Sequence, residues 1–243
     1  MLPLRDDNPT ERFPIVTYTL LCLNLVAFAW QLGFPGVLSA PHLVDAMVLH
    51  LEDSVRRGAV VPLEILTLSD VDLRNIVPPP FTILTSMFLH GGIGHILANL
   101  LSLWIFGNNV EDALGRARYL AFYVGAGIVA ALTQVLASAV SGEVYVQMVG
   151  ASGAIAGVLA AYMMLFPRAR VLTLVVVFIL PVPAVLFIGF WFFWQVWQAR
   201  SIVGGAQSGV AVFAHIGGFV AGYLLVRIVG RRRGWRVRPR AYW

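Results

Sequence analysis

The feature that most constrains this sequence is a series of long apolar stretches separated by a few short charged segments. A helix needs about 20 consecutive apolar residues to cross a bilayer. Charged residues make up 12% of the chain, against about 25% in a typical soluble domain. Water could not solvate such a surface, whereas lipid could. The sequence therefore predicts an all-α polytopic membrane protein with six transmembrane helices, near residues 14–32, 93–110, 119–140, 152–166, 183–198 and 210–229.

Two segments depart from this pattern. Residues 33–92 form a large predicted outer loop, whose first part is rich in charge and ends in three consecutive prolines at 78–80. We expect a structured loop outside the bilayer, with an interfacial helix as one option. The apolar stretch at 171–198 is too long for one untilted span. Because Pro181 and Pro183 would break a helix, residues 171–180 are expected to be a short extended or interfacial piece.

The basic residues are unevenly distributed. All 17 are arginine. Six helices put both termini on one side of the membrane, and 13 of the 17 arginines then fall on that side. By the positive-inside rule this side is cytoplasmic. We therefore expect one membrane domain over residues 1–243, with a cytoplasmic N-terminal segment at 1–13 and a basic cytoplasmic tail at 231–243. The partner of such a tail is the lipid bilayer rather than nucleic acid.

Little in the sequence points to a disulfide, a metal or a cofactor. Cys22 is the one cysteine and lies within the first apolar stretch, so no internal disulfide or multi-cysteine metal site can form. The first dozen residues are polar and acidic, unlike a signal peptide, so we expect the first helix to be retained. The lack of lysine, with much Arg, Ala and Gly, indicates a GC-rich prokaryotic genome and hence a prokaryotic inner membrane.

Polar residues inside predicted membrane helices are functional candidates because they are costly to bury in lipid. His95 and Asn99 lie one turn apart near the start of the second helix, Ser152 opens the fourth, and His215 lies near the start of the sixth. These three helices all run inward from the outer side. The four side chains, from distant parts of the chain, are therefore predicted at similar shallow depth in one leaflet.

Glycine spacing supports the same grouping. Gly153 and Gly157 follow Ser152, and Gly218 and Gly222 follow His215. Such small-xxx-small patterns allow membrane helices to approach closely. If the two glycine faces pack together, Ser152 and His215 come within hydrogen-bonding distance.

This grouping has a chemical interpretation. A serine hydroxyl becomes a good nucleophile when a neutral histidine takes its proton, and attack on a peptide carbonyl creates an oxyanion that needs donors. The backbone N–H of Ser152 and the side chains of Asn99 and His95 are candidates. No Asp or Glu lies in the helices near them, so we predict a Ser–His dyad. The plainer alternative is that each polar side chain only bonds to a neighbouring helix, and for His90 a structural role is favoured.

The motifs that contain these residues resemble those of the rhomboid intramembrane serine proteases, from Phe13 to Gly230. The matching signatures are HGGIGHILAN (90–99), EDALGRAR (111–118), GASGAIAG (150–157) and AHIGGFVAG (214–222). The resemblance implies that Ser152 is the nucleophile, that His215 is its partner, and that His95 and Asn99 stabilise the oxyanion. It also assigns a structural role to a further set of positions, namely Gly150, Gly153, Gly157, Gly218, Gly222, Glu111, Gly115 and Arg118.

The resemblance further implies an outward-opening cavity, lateral entry of single-span membrane substrates, and a cap over the site at residues 200–209. It implies cleavage near the outer end of the substrate at a small residue. Two features depart from the family pattern. Some members have an aromatic residue four positions after the serine, where this chain has Ala156, so other contacts must orient His215. The first outer loop also lacks tryptophan, which bears on its anchoring.

Other functions place different demands on the residues. A non-proteolytic relative that binds membrane proteins is the main alternative, although such proteins typically lack the serine or the histidine. A zinc protease needs H-E-x-x-H, whereas His90 and His95 are five positions apart with no Glu between them. An aspartyl protease needs two intramembrane aspartates, which the predicted helices lack. A transporter would be expected to contain inverted repeats, and none is evident.

Overall fold

A computed structural model describes residues 1–40, 42–71, 77–203 and 211–232. Within these ranges the chain is mostly helical, and a π-helical turn at Leu103–Gly107 joins α5 to α6. The α-helices are α1 Ile15–Gln31, α2 Leu43–Gly58, α3 Pro62–Thr67, α4 Pro79–Thr85, α5 Ile93–Ser102, α6 Asn108–Leu114, α7 Arg116–Ser141, α8 Ser152–Leu165, α9 Ala184–Val203 and α10 Val212–Val229. The strands are β1 Leu2–Asp6, β2 Arg170–Val175 and β3 Phe178–Pro183.

Three of the described helices are long and apolar enough to cross a membrane: α1 with the turn that follows it, α7 and α10. The segment from α4 to α6 is bent by 79° and would make a fourth span. Helix α8 is apolar but has only 14 residues. Helix α9 is also not among the helices that are long and apolar enough to cross a membrane. The membrane character predicted from composition is thus confirmed, while the number six stays a prediction.

Helix α8 is the centre of the core. Eleven of its 14 residues are buried, because it packs between α7 and α10 and against the segment Leu103–Gly107. Six of its first ten residues are Gly or Ala, so neighbouring helices can lie close to its backbone. The buried rings of Phe106 and Tyr162 pack edge to face at one end of this core, 5.0 Å apart. A helix so enclosed gives its first residue a fixed position.

The prediction of an all-α fold was wrong in one respect. The three strands form an antiparallel sheet in the order β1-β2-β3, with Leu2 opposite Leu174 and Leu172 opposite Pro181. The extended piece predicted at 171–180 lies in β2 and β3. The proline-containing β3 is an edge strand, where proline's missing N–H is tolerated. The missed strand was β1, because its partner is far away in the sequence.

Two aspartates at the end of β1 hold the sheet in place: Asp6 joins it to α6 and α8, and Asp7 joins β1 to the first residue of β2. Asp6 Oδ2 accepts hydrogen bonds from the Tyr162 hydroxyl at 2.5 Å and from Asn109 Nδ2 at 2.8 Å. Asp7 Oδ1 accepts one from the backbone N–H of Arg170 at 2.7 Å. Burial raises the pKa of Asp6 from its ordinary 3.8 to about 7, although the bond from Tyr162 opposes the shift.

The motif predicted to be structural joins α1 to α6. Glu111 is buried and accepts hydrogen bonds from the N–H groups of Val16 and Thr17 and from the Thr17 hydroxyl. It therefore caps the free N–H groups at the start of α1, where negative charge is favourable. Gly115 separates α6 from α7 with a φ of +84°, which favours glycine. Arg118 donates to the carbonyl of Arg231.

The predicted outer loop is folded, with α2, α3 and α4 inside it. Val60 and Met148 exchange backbone hydrogen bonds of 2.9 and 3.0 Å, and Gly150 N–H donates to the Ser86 carbonyl at 2.8 Å. These bonds hold the connection between α7 and α8 immediately before Ser152. The cap predicted at residues 200–209 begins inside α9, which is longer than expected, and its residues 204–209 lie outside the described part of the chain.

Candidate active site

Ser152 and His215 are hydrogen-bonded across two helices. Ser152 is the first residue of α8 and His215 lies on the first turn of α10. The Ser152 Oγ and the His215 Nε2 are 2.8 Å apart. His215 is 8% exposed, and Ser152 is partly buried. The serine hydroxyl can therefore donate directly to the histidine, in a site largely shielded from water.

The glycine pairs bring the two helices into backbone contact. A Cβ atom on Gly218 would lie 2.0 Å from the carbonyl oxygen of Gly153, and one on Gly157 would lie 3.0 Å from that of Gly218. Real Cβ atoms do not approach so closely, so larger side chains would push the helices apart. The distance between Ser152 and His215 thus depends on the absence of side chains one turn away.

His95 and Asn99 lie beside Ser152 on α5. Asn99 is 6% exposed, and its Nδ2 has no hydrogen-bond partner among the described residues. A Cβ on Gly150 would meet His95 Nε2 at 2.6 Å and Asn99 Nδ2 at 3.6 Å. The two nitrogens therefore converge on one point next to Gly150, whose φ of +123° itself favours glycine. Such a point is suited to a negatively charged oxygen.

His90 is part of the support rather than of this group. It is fully buried, and its backbone N–H donates to Gln31 Oε1 at 2.9 Å while Gln31 Nε2 donates to the His90 carbonyl at 3.1 Å. Its ring packs edge to face against that of His95, with centroids 5.1 Å apart. The structural role that the sequence favoured for His90 fits these contacts.

Sequence reasoning missed two residues of α9 that contact His215. The Oε1 of Gln195 is 2.8 Å from His215 Nδ1, and the ring of Trp191 lies 5.6 Å from the His215 ring. In the sequence, Gln195 lies among six aromatic residues, which are typical of an aromatic belt at the membrane interface: Phe190, Trp191, Phe192, Phe193, Trp194 and Trp197. Gln195 could have been identified in the same way as the four polar residues singled out in the sequence analysis, because it too is a polar side chain inside an apolar helix.

Two cavities lie near the residues discussed. One of about 40 Å³ lies next to Ser152 and is lined mostly by small and apolar residues, among them Met87, Ala130, Met148 and Ala214. A larger one, of about 450 Å³, is lined by Arg12, Glu111 and Arg116 at the start of α1, far from the serine. Within the described ranges no group of three His, Cys, Asp or Glu side chains could hold a metal ion.

Comparison with known proteins identifies a family and several proteins whose sequences are similar to this one. The rhomboid domain family model matches residues 79–232. Rhomboid protein 1, mitochondrial, of Saccharomyces cerevisiae is 28% identical over 70% of this chain and 49% of its own length. RHOMBOID-like protein 4 of Arabidopsis thaliana is 31% identical over 71% of this chain and 41% of its own length. A Bacillus subtilis protein named as a candidate rhomboid protease is 37% identical over 33% of this chain and 39% of its own length.

The chain spans about half or less of the length of these curated relatives. Relatives named as mitochondrial come from yeast and from mammals, including Homo sapiens. The comparisons therefore support a membrane protein. They do not favour the prokaryotic inner membrane that the amino-acid composition suggested.

Proposed function

This chain belongs to the rhomboid family, and from that premise we propose that it is an intramembrane serine endopeptidase with Ser152 as nucleophile and His215 as general base. The observation that carries the proposal is the 2.8 Å hydrogen bond between Ser152 Oγ and His215 Nε2. The family includes proteases and rhomboid-like proteins that do not cut. A serine paired with a histidine at the start of a buried helix is what a protease requires and what a binding protein does not need.

The proposed reaction has two steps. Ser152 Oγ attacks the carbonyl carbon of the scissile peptide bond while His215 Nε2 takes the hydroxyl proton. The C–N bond then breaks, His215 gives its proton to the leaving amine, and an acyl ester remains on Ser152. A water molecule then attacks the ester carbonyl while His215 takes one of its protons; the bond between the acyl carbon and Ser152 Oγ breaks, His215 returns the proton to Oγ, and the carboxylic acid product is released.

The negative charge formed in each step falls on the former carbonyl oxygen. Its proposed donors are the backbone N–H of Ser152, the Nδ2 of Asn99 and the Nε2 of His95. The unpartnered state of Asn99 Nδ2 supports this assignment, because a buried amide normally has a partner. Each such donor contributes about 10²–10³-fold to the rate in comparable sites.

The proposed substrate is a single-span membrane protein, cut at a small residue. The cavity beside Ser152 supports a small side chain, since its volume of about 40 Å³ is close to the roughly 30 Å³ that one water molecule occupies in the liquid. The exposed apolar surfaces of α1 and α9 support access from the bilayer. We propose no cofactor, because the serine, the histidine and the oxyanion donors are sufficient for the reaction.

We further propose six spans, supported by contacts at one end of the bundle. Strand β1 pairs with β2, so the chain must cross the membrane an even number of times between them. Three candidate spans lie in this interval: α1, the bent segment α4–α6, and α7. An even number then requires α8 as the fourth span, although it has 14 residues.

The same reasoning applies to the last two helices. Arg232 forms ion pairs with Glu11 and Asp112, which puts it on the side of β1. The interval between β2 and Arg232 contains α9 and α10, and α10 is a candidate span. Helix α9 must therefore cross as well. The arginine distribution then favours a cytoplasmic location for this side, and the sheet, which joins residues 2–6 to 170–183, supports a single domain.

Cleavage of a fluorescent single-span substrate by the purified chain in liposomes tests the proposal. Ser152→Ala is expected to abolish cleavage without lowering the Tm, whereas Ser39→Ala, at the exposed end of the helical turn that follows α1, is the matched control. Equal cleavage by the wild-type chain and Ser152→Ala would exclude Ser152 as the nucleophile. If no variant cuts any of several substrates, the non-proteolytic alternative replaces the protease.

A further inference from the structure

Helix α9 provides a hydrogen-bond partner for the side of His215 that faces away from Ser152. Gln195 is 6% exposed, and its Oε1 lies 2.8 Å from His215 Nδ1. The two residues are 20 positions apart in the sequence. His215 is therefore bonded on both ring nitrogens, to α8 through Ser152 and to α9 through Gln195.

The Gln195 atom that faces His215 indicates one tautomer of the ring, because Oε1 is the nearer amide atom. An amide oxygen accepts hydrogen bonds and cannot donate them. The tautomer with a hydrogen on Nδ1 satisfies this bond and leaves the Nε2 lone pair directed at Ser152. In the opposite tautomer Nε2 would carry a hydrogen and could not accept the serine proton. The bond that one ring nitrogen makes thus sets the chemistry available at the other.

Trp191, one helical turn before Gln195, limits the movement of the same ring. Its ring lies 5.6 Å from that of His215 with an angle of 41° between the planes. Phe192 stacks on Phe219 of α10 with centroids 4.1 Å apart, which holds α9 against α10. The aromatic contact that Ala156 cannot make from α8 is therefore supplied from α9.

We propose that Gln195 is the positioning residue of His215: it holds the imidazole in the Nδ1–H tautomer, with Nε2 facing Ser152. The inference rests on the proposed function and assigns to α9 a part in the catalytic geometry. Because Gln195 is neutral, it orients the ring without the charge that an aspartate would bring. The titratable group that faces His215 from α5 is His95.

A simpler role for Gln195 is as an interhelical hydrogen bond that only stabilises the fold, as polar residues do in many membrane helices. The two roles predict different results for the same substitutions. Loss of a stabilising bond lowers the Tm and leaves the activity of the folded fraction unchanged. Loss of a positioning bond lowers kcat in protein that is still folded.

The test compares Gln195→Leu, Gln195→Glu and the control Gln198→Leu in the full chain, reconstituted in liposomes with a labelled single-span substrate. Gln198 is on the same helix, is partly buried, and undergoes the same chemical change. Gln195→Leu is expected to lower kcat by about 10- to 100-fold, with KM within twofold of the wild type. Gln195→Glu keeps an acceptor and is expected to restore most of kcat. Its carboxylate stabilises the imidazolium, so the acidic limb of the kcat profile moves to higher pH.

A second measurement uses the wild-type chain and so does not depend on whether a variant folds. In protein labelled with ¹⁵N-histidine, the two nitrogen shifts of His215 are expected to show a protonated Nδ1 and an unprotonated Nε2 at neutral pH. A protonated Nε2 would overturn the proposal, since the amide of Gln195 would then present its NH₂ group.

The outcomes separate this proposal from the proposed function. If the wild-type chain cleaves, Ser152→Ala does not, and Gln195→Leu has the kcat of Gln198→Leu, then the protease stands and the role of Gln195 is excluded. If the wild-type chain does not cleave, the proposed function fails and the positioning role fails with it.

Discussion

Gly157 of α8 and Gly222 of α10 meet backbone to backbone. A Cβ atom on Gly222 would lie 2.3 Å from the carbonyl oxygen of Gly157 and 2.4 Å from its Cα. The obstacle is main chain, which cannot move aside as a flexible side chain can. This contact sets the separation of the two helices that carry Ser152 and His215, so helix spacing and the hydrogen bond between these two residues depend on the same pair of glycines.

Gly222→Ala is therefore expected to lower both stability and activity. The added methyl group must move α10 away from α8, at a cost of about 1–3 kcal/mol for overpacking. A displacement of about 1 Å at the site can reduce the rate on the order of 10²-fold. Thermal unfolding and substrate cleavage measure the two effects. Gly189→Ala on α9, where a Cβ would meet nothing within 4 Å, is the control, and equal behaviour of the two variants would contradict the argument.

Asn99→Ala tests the proposed oxyanion donor. The Nδ2 of Asn99 has no hydrogen-bond partner within the described part of the chain, so its removal should cost little stability. It should lower kcat by about 10²–10³-fold because the donor acts when charge develops, with KM nearly unchanged. The control is Asn24→Ala, a buried amide that donates to the Leu20 carbonyl within α1. A fall in Tm without a fall in kcat for Asn99→Ala would remove it from the mechanism.

Glu111→Gln tests the cap on α1. The carboxylate accepts from three donors, on Val16 and Thr17. An amide has one oxygen to offer, and its NH₂ group would face at least one of these donors. We expect a loss of about 1–3 kcal/mol of stability, read as a lower Tm, with kcat preserved because the site is at the other end of the bundle. Glu143→Gln, at an exposed position, should leave the Tm unchanged.

Asp6 makes stability depend on pH. Burial favours its neutral form and raises its pKa from 3.8 to about 7, so the folded state binds the proton more tightly than the unfolded state. The contribution of Asp6 to the free energy of unfolding is fully present below pH 3.8 and is lost as the pH rises through about 7. The free energy of unfolding falls in this range by at most about 1.4 kcal/mol per pH unit. Asp6→Asn, which keeps an acceptor for Tyr162, should flatten the Tm between pH 5 and pH 8.

The comparison for this pH effect is Asp45→Asn, an exposed aspartate on α2. That variant should show the same pH dependence as the wild-type chain. If Asp6→Asn did so too, another group would have to account for the change in Tm.

The sequence was sufficient to predict the features that stand out in an apolar helix, namely its polar residues and its glycine spacing. His95, Asn99, Ser152 and His215 interrupt apolar helices, and the spacing of Gly153 and Gly157 is local, so both patterns can be read without the fold. Helix boundaries were found within a few residues, except at the end of α9. That helix continues to Val203, where an aromatic-rich segment gave no stop signal.

What was missed depends on contacts between distant parts of the chain. The first strand has no alternating pattern of its own and becomes a strand because β2 offers it unpaired backbone groups. Gln195 was overlooked because the six aromatic residues around it favoured an interface interpretation. Only the packing of α9 against α10, with Phe192 on Phe219, turns its side chain toward His215.

The pairing of β1 with β2 also imposes an order of events during synthesis. Asp7 bonds to a residue 163 positions later, and ribosomes add about 5–20 residues per second, so the first strand waits roughly 10–30 s for its partner. With the four spans proposed above for this interval, four helices are inserted while the waiting strand stays on its own side. Pairing of β1 with β2 then requires the insertion of every one of these spans, because a nascent chain that lost one would carry β2 to the opposite side of the membrane.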